Sequence, residues 1–174
     1  MSRFVRLCET PSPTGRERAV ADLVRGELEG LGLTVTEDDA AGPAGAGAGN
    51  LLARIPGRAD RCLMFCAHLD TVPHDGPIEV ELDEDGIYRS AGDTILGADN
   101  KAAVAVLIEL AARHAEEPPP VGIELLFTVA EEQGLRGAAA FDRSALRAET
   151  GFVLDHATAI GQGITAAPTH MRAR

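Results

Sequence analysis

The chain has 174 residues, 45% of them apolar, with a formal net charge of −11. That length suits one domain with room for a core, the apolar share excludes a disordered chain, and the charge argues against nucleic acid and anionic membrane surfaces as partners. No stretch is long and apolar enough to span a membrane, and Met1-Ser2-Arg3-Phe4-Val5-Arg6 lacks a signal peptide's apolar run, so the expected compartment is the cytoplasm.

Residues 3–8 read as a short helix with Phe4, Leu7 and Cys8 on one side, broken by Pro11 and Pro13. Thr14-Gly15-Arg16-Glu17 has the form of a capping box. The helix after it carries Val20, Leu23, Val24, Leu28 and Leu31 at helical spacing and ends at Gly30 and Gly32. Leu33 to Glu37 alternates like a strand. Residues 41–49, almost all Gly and Ala, read as a loop without a phosphate-binding fingerprint.

Asn50 to Ile55 is the next strand, closed by Pro56-Gly57. Arg61 to His68 is a second apolar run, the kind that forms buried strands of an α/β sheet. Its Cys62 and Cys66 lie ~13 Å apart at ~3.3 Å per residue and cannot bridge. With Cys8 they read as three reduced thiols in or near the core. Ile78 to Leu82 and Ile87 to Ser90 flank Asp83-Glu84-Asp85-Gly86, a hairpin signal.

Gly92 to Lys101 is a loop leading into a helix from about Asn100 to Arg113, apolar on nearly every side and so expected to be buried. Pro118-Pro119-Pro120 bars its continuation. Val121 to Ala130 is a strong strand that stops at Glu131-Glu132, and Gly134 and Gly137 mark a tight turn. Residues 138–148 look weakly helical. Gly151 to Leu154 reads as a last buried strand ending at Asp155-His156, and the tail from Ile164 carries a weak strand signal.

Chemistry gathers where these elements end. Alternation along a strand puts His68 and Asp70 on one side, at the carboxyl end where open α/β sheets hold ligands. A neutral imidazole ligates zinc, and a carboxylate commonly fixes its orientation. Asp99, where a loop becomes a helix, could cap the helix or bridge two cations ~3.5–4 Å apart. Glu131-Glu132 sets two like charges beside a buried strand end, a repulsion that a bound metal and a held water would relieve. Asp155 ends the last strand. His74, His114 and His170 have no partner motif. The set is rich in oxygen donors with histidine, which suits zinc, cobalt or manganese better than a thiolate site does.

Four segments carry a resemblance: Ser12-Pro13-Thr14-Gly15, Ala67-His68-Leu69-Asp70-Thr71-Val72-Pro73, Leu96-Gly97-Ala98-Asp99-Asn100-Lys101-Ala102 and Phe127-Thr128-Val129-Ala130-Glu131-Glu132-Gln133-Gly134-Leu135. Together they are similar to the dinuclear zinc exopeptidases that include peptidase T, carboxypeptidase G, aminoacylase and succinyl-diaminopimelate desuccinylase, with wording nearest the peptidase T branch. The resemblance implies an α/β fold with a mixed, largely parallel sheet and helices on both faces. It implies that His68 and Asp155 hold one zinc, that Asp99 bridges both, and that Glu132 holds the second. It further implies that Asp70 orients His68, that Glu131 is the general base, and that a cis peptide follows the bridging acid at Asp99-Asn100.

Family members are longer by that resemblance. They insert a lid or dimerisation domain after the strand that ends at Asp155, and a later segment brings a further histidine for the second zinc. The expectation is therefore a truncated amino-terminal part, with 1–163 belonging to the catalytic domain and 164–174 opening the lid. Three outcomes stay open: a peptide or acyl-amino acid hydrolase, alone, as a homodimer or with a missing carboxyl-terminal half; a non-catalytic remnant binding at most one metal; or a chain that does not fold alone.

Overall fold

A computed structural model describes residues 2–157, 159 and 161–166. In chain order its elements are α1 (Arg3–Glu9), α2 (Arg18–Gly30), β1 (Val35–Glu37), α3 (Ala41–Ala44), β2 (Leu51–Ile55), β3 (Ala59–His68), β4 (Val80–Leu82), β5 (Tyr88–Ser90), α4 (Ala98–Arg113), β6 (Val121–Thr128), α5 (Arg136–Ala140), a 3-10 turn (Arg143–Ala145) and β7 (Thr150–Val153). Five strands form one mixed sheet in the order β1-β2-β6-β3-β7, and β4 and β5 form the expected antiparallel hairpin apart from it. β1 and β2 pair antiparallel, as do β2 and β6; β3 runs parallel to both its neighbours, and parallel pairing takes the larger share of the ladders.

The period of two along each strand sorts the two faces. Leu51, Ala53 and Ile55 of β2, Ala67 of β3, and Ile123, Leu125 and Phe127 of β6 point into the main core, against Leu7 of α1, Val20, Val24 and Leu28 of α2, and Val104, Leu107 and Ile108 of α4. The alternate residues Leu52, Cys66 and Leu126 make a smaller cluster covered by Phe141 and Leu146. Among the described residues the long helices thus line the main core, while Phe141, at the end of α5, and Leu146 cover the smaller cluster. Each large side chain fully buried in the main core contributes roughly 1.5–3 kcal/mol.

Register explains where the ligands gather. His68 pairs with Thr128, so β3 and β6 finish side by side, and Cys66 pairs with Val153, so β7 finishes beside them. Asp70, Glu131 and Asp155 all follow directly on these three carboxyl ends. Asp99 reaches the same edge from the start of α4. Gly97 makes that approach with φ +72, and an added Cβ would meet Ile78 Cδ1 at 3.0 Å. Gly137 folds α5 back so closely that an added Cβ would lie 2.1 Å from the Val129 carbonyl oxygen.

Several local expectations are corrected. Thr14 and Glu17 form no capping box: Thr14 Oγ1 donates to Asp70 Oδ2 at 2.8 Å, while the Glu17 carboxylate accepts from the Gly15 and Gly47 amides. A tertiary partner has taken the hydroxyl that local pattern assigned to the helix. The Gly/Ala segment contains one helical turn, α3, ended by Gly45. α4 is buried on one face only, since Val106 is 59% exposed. β7 is exposed along its length, with Phe152 48% and Val153 66% exposed. It is an edge strand, and no described residue covers it. The tail shows no element over 164–166, and 167–174, with His170, lies outside the described residues. Among the described residues no helix is long and apolar enough to cross a membrane.

Candidate metal centre

The centre is built around His68, whose side chain is 2% exposed. Its Nδ1 lies 3.0 Å from the Asp70 carbonyl oxygen, which can only accept, so Nδ1 carries a proton and Nε2 faces the cluster. Nε2 is 3.1 Å from Asp99 Oδ1, 3.8 Å from Asp155 Oδ1 and 4.0 Å from Glu131 Oε2. Two donor groups share the histidine, His68 with Glu131 and Asp155, and His68 with Asp99 and Glu132, the donor atoms in each lying within 4.8 Å of one another. The structure brings together all the residues singled out for metal and base roles.

Electrostatics favours a cation here. Burial pulls the His68 imidazolium down, but the hydrogen bond and charge of Asp70, with the charges of Asp155 and Glu131, outweigh it and raise the pKa to about 9. In effect the carboxylates recruit a proton to the nitrogen that would face a metal. Burial, then the neighbouring acids, push Glu131 and Glu132 above the usual carboxylate range, and the charge of His68 opposes this. The nearby ammonium does not relieve them: Lys101 is fully buried, donates to Ser12 Oγ at 2.5 Å and the Leu69 carbonyl at 2.7 Å, and is pulled down to about 8 by burial. One imidazole facing four carboxylates, with two donor groups, fits divalent zinc, cobalt or manganese.

Asp70 faces the His68 ring with both its carbonyl and its carboxylate. Its carbonyl, rather than its carboxylate, is the nearer partner of His68, since Oδ1 stands 3.5 Å from Nδ1. The fully buried carboxylate also accepts from the Glu131 amide at 2.9 Å, the Glu132 amide at 3.2 Å and the Thr14 hydroxyl at 2.8 Å. Burial would raise its pKa, but these bonds and the one from His68 hold it below the usual range. Asp70 therefore fixes the turn that presents the two glutamates. Ala130, at φ +50, starts that turn in the left-handed region, and the Gly134 and Leu135 amides close it on the Glu131 carbonyl.

Asp99 caps nothing. The helix N-cap is Gly97, and residues 99 and 100 depart from helical angles, with a cis peptide between them. The buried side-chain roles of Asn100 and Lys101 have no signal in composition or periodicity. His74 donates to Gly76, and His114 sits at the C-cap of α4 and donates to Glu117. His156 is exposed and, with Asp99, Asp155, Ala98, Ala102 and Leu154, lines a cavity of about 380 Å³ beside the centre.

Residues 50–167 match the family described as Peptidase family M28. The Bacillus subtilis (strain 168) protein YqjE, described as uncharacterized, is 38% identical over all of this chain and 47% of its own length. A tripeptidase from Staphylococcus aureus superposes with a TM-score of 0.84 at 32% identity, over 90% of this chain and 42% of that one. Aminopeptidase PepT from Bacillus cereus gives 0.82 at 36% identity, over 88% and 42%. The chain spans less than half the length of these relatives.

Proposed function

Because the chain belongs to Peptidase family M28, within the zinc exopeptidases and peptidase T-like, we propose that it forms the metal-binding side of a tripeptidase- or aminopeptidase-like hydrolase acting on small peptides. The observation that carries this reading is the pair of donor groups sharing His68 at the carboxyl ends of parallel strands. In it, His68 and Asp155 would hold one zinc ion and Glu132 a second, with Asp99 as the carboxylate shared between them. Two zinc ions bound there supply Lewis acidity and a water acidified toward neutral pH.

The chain's own residues do the rest. Glu131 takes a proton from the attacking water as its oxygen bonds to the scissile carbonyl carbon. It then gives that proton to the departing amine as the C–N bond breaks, leaving a carboxylic acid and an amine, which settle as carboxylate and ammonium. Its raised pKa suits a base that must also act as an acid. Asp70 touches no substrate: it holds the Glu131-Glu132 turn and, through its carbonyl, the His68 ring. Cobalt or manganese would serve at the same donors.

Cleavage of a tripeptide by the zinc- or cobalt-loaded chain tests this. Glu131→Gln is expected to lower the rate by ~10²–10⁴ while zinc still binds. An unchanged rate in that variant, or no cleavage by the native chain, would contradict the proposal.

A further inference from the structure

Asn100 is 4% exposed at the first turn of α4, next to Asp99. Its Nδ2 donates to the Leu154 carbonyl at 2.8 Å and to Asp155 Oδ1 at 3.1 Å. Both partners only accept, so the amide has one permitted orientation: NH₂ toward β7, oxygen away. The oxygen is then left buried with no partner among the described residues. Buried polar atoms are normally satisfied, and an exception asks for a reason. The reason here lies in what the NH₂ group holds.

Asp155 needs holding. It follows β7, the exposed edge strand, and its own side chain is 30% exposed. Besides the Asn100 side chain, this strand end is tied by the Leu154 amide donating to the Cys66 carbonyl at 2.9 Å and by the Leu154 side chain packed against the main core. Asn100 spends one N–H on the backbone of that end and the other on the carboxylate, which leaves Asp155 Oδ2 without a described hydrogen bond. The same residue is bonded through its backbone to Asp99, so it links two ligand-bearing segments that the sheet does not join.

We propose that Asn100 is a positioning residue for the metal centre, acting through Asp155 by anchoring the end of β7 and aiming the carboxylate at the ion. This rests on the metal-centre reading above. Loss of an outer partner of this kind typically lowers metal affinity by ~10–100-fold.

The test is a calorimetric zinc titration of the metal-free full chain as native, Asn100→Asp, Asp155→Ala and the double variant. Asn100→Asp keeps the shape but turns an acceptor toward two acceptors. It is expected to weaken zinc binding ~10–100-fold beside native Asp155 and to add no loss in the Asp155→Ala background. Native affinity in Asn100→Asp, or an equal loss with and without Asp155, overturns the proposal. Thermal melting followed by circular dichroism accompanies each titration. If Asn100→Asp does not fold, Asn100→Ala takes its place; if neither folds, Asn100 is a folding residue and the proposal is wrong. Absence of zinc binding by the native chain would remove the metal centre itself, whereas binding that His68→Ala abolishes and Asn100→Asp leaves intact would remove only this inference.

Discussion

The ends of β3 and β6 and the end of β7 contribute to one centre but are built differently. At β3 and β6, His68 and Asp70 are buried, and the Asp70 carboxylate gathers two backbone amides and a hydroxyl. At β7 the strand is exposed, and Asp155 is held by the Asn100 amide, the Leu154 backbone bond and the Leu154 side chain against the core. The first region is pre-formed by folding; the second is held from outside its own strand. A shared metal centre can thus join a rigid part and a weakly tethered part, and the two should respond in opposite ways to mutation.

The largest expected effect on stability separates them. Asp70→Ala leaves three donors without their buried acceptor, and removing one partner of such a charged network costs ~3–5 kcal/mol. Urea denaturation of the metal-free chain measures it, and a loss below about 1 kcal/mol would erase the distinction. Asp155→Ala should do the reverse. Its stability cost stays near the ~0.5 kcal/mol of ordinary surface changes, while zinc affinity falls by at least the ~10–100-fold that an outer partner is worth. The smallest effect belongs to Val153→Lys on the open edge, within ~0.5 kcal/mol by thermal melting. A destabilisation of several times that size would mean β7 is packed rather than exposed.

The same contrast marks what the sequence made legible. The apolar run behind Glu131 is buried on both sides of the sheet and the run behind His68 is buried at its carboxyl end, so hydrophobic pattern found them and placed their polar ends together. The last strand, Gly151 to Leu154, has the same apolar look, but burial depends on neighbours, and among the described residues β7 has only β3 beside it. Thr14 and Glu17 matched a capping box because that pattern is local; the structure gives Thr14 to a carboxylate 56 residues away. Asp70 was expected to act on His68 two positions back, where strand alternation points. Its bonds to the Glu131 and Glu132 amides arise from the register of two parallel strands, which sequence spacing does not encode. The cluster of ligands was thus readable, while the hydrogen bonds that hold it were not. Asn100 and Lys101 belong to that second kind.

The central claim is that His68 anchors a metal centre, and zinc titration of the metal-free chain by calorimetry, beside His68→Ala, tests it most directly. Because both donor groups include His68, the account predicts saturable binding by the native chain that is lost in the variant. Absence of saturable binding, or binding of equal strength in His68→Ala, would contradict it.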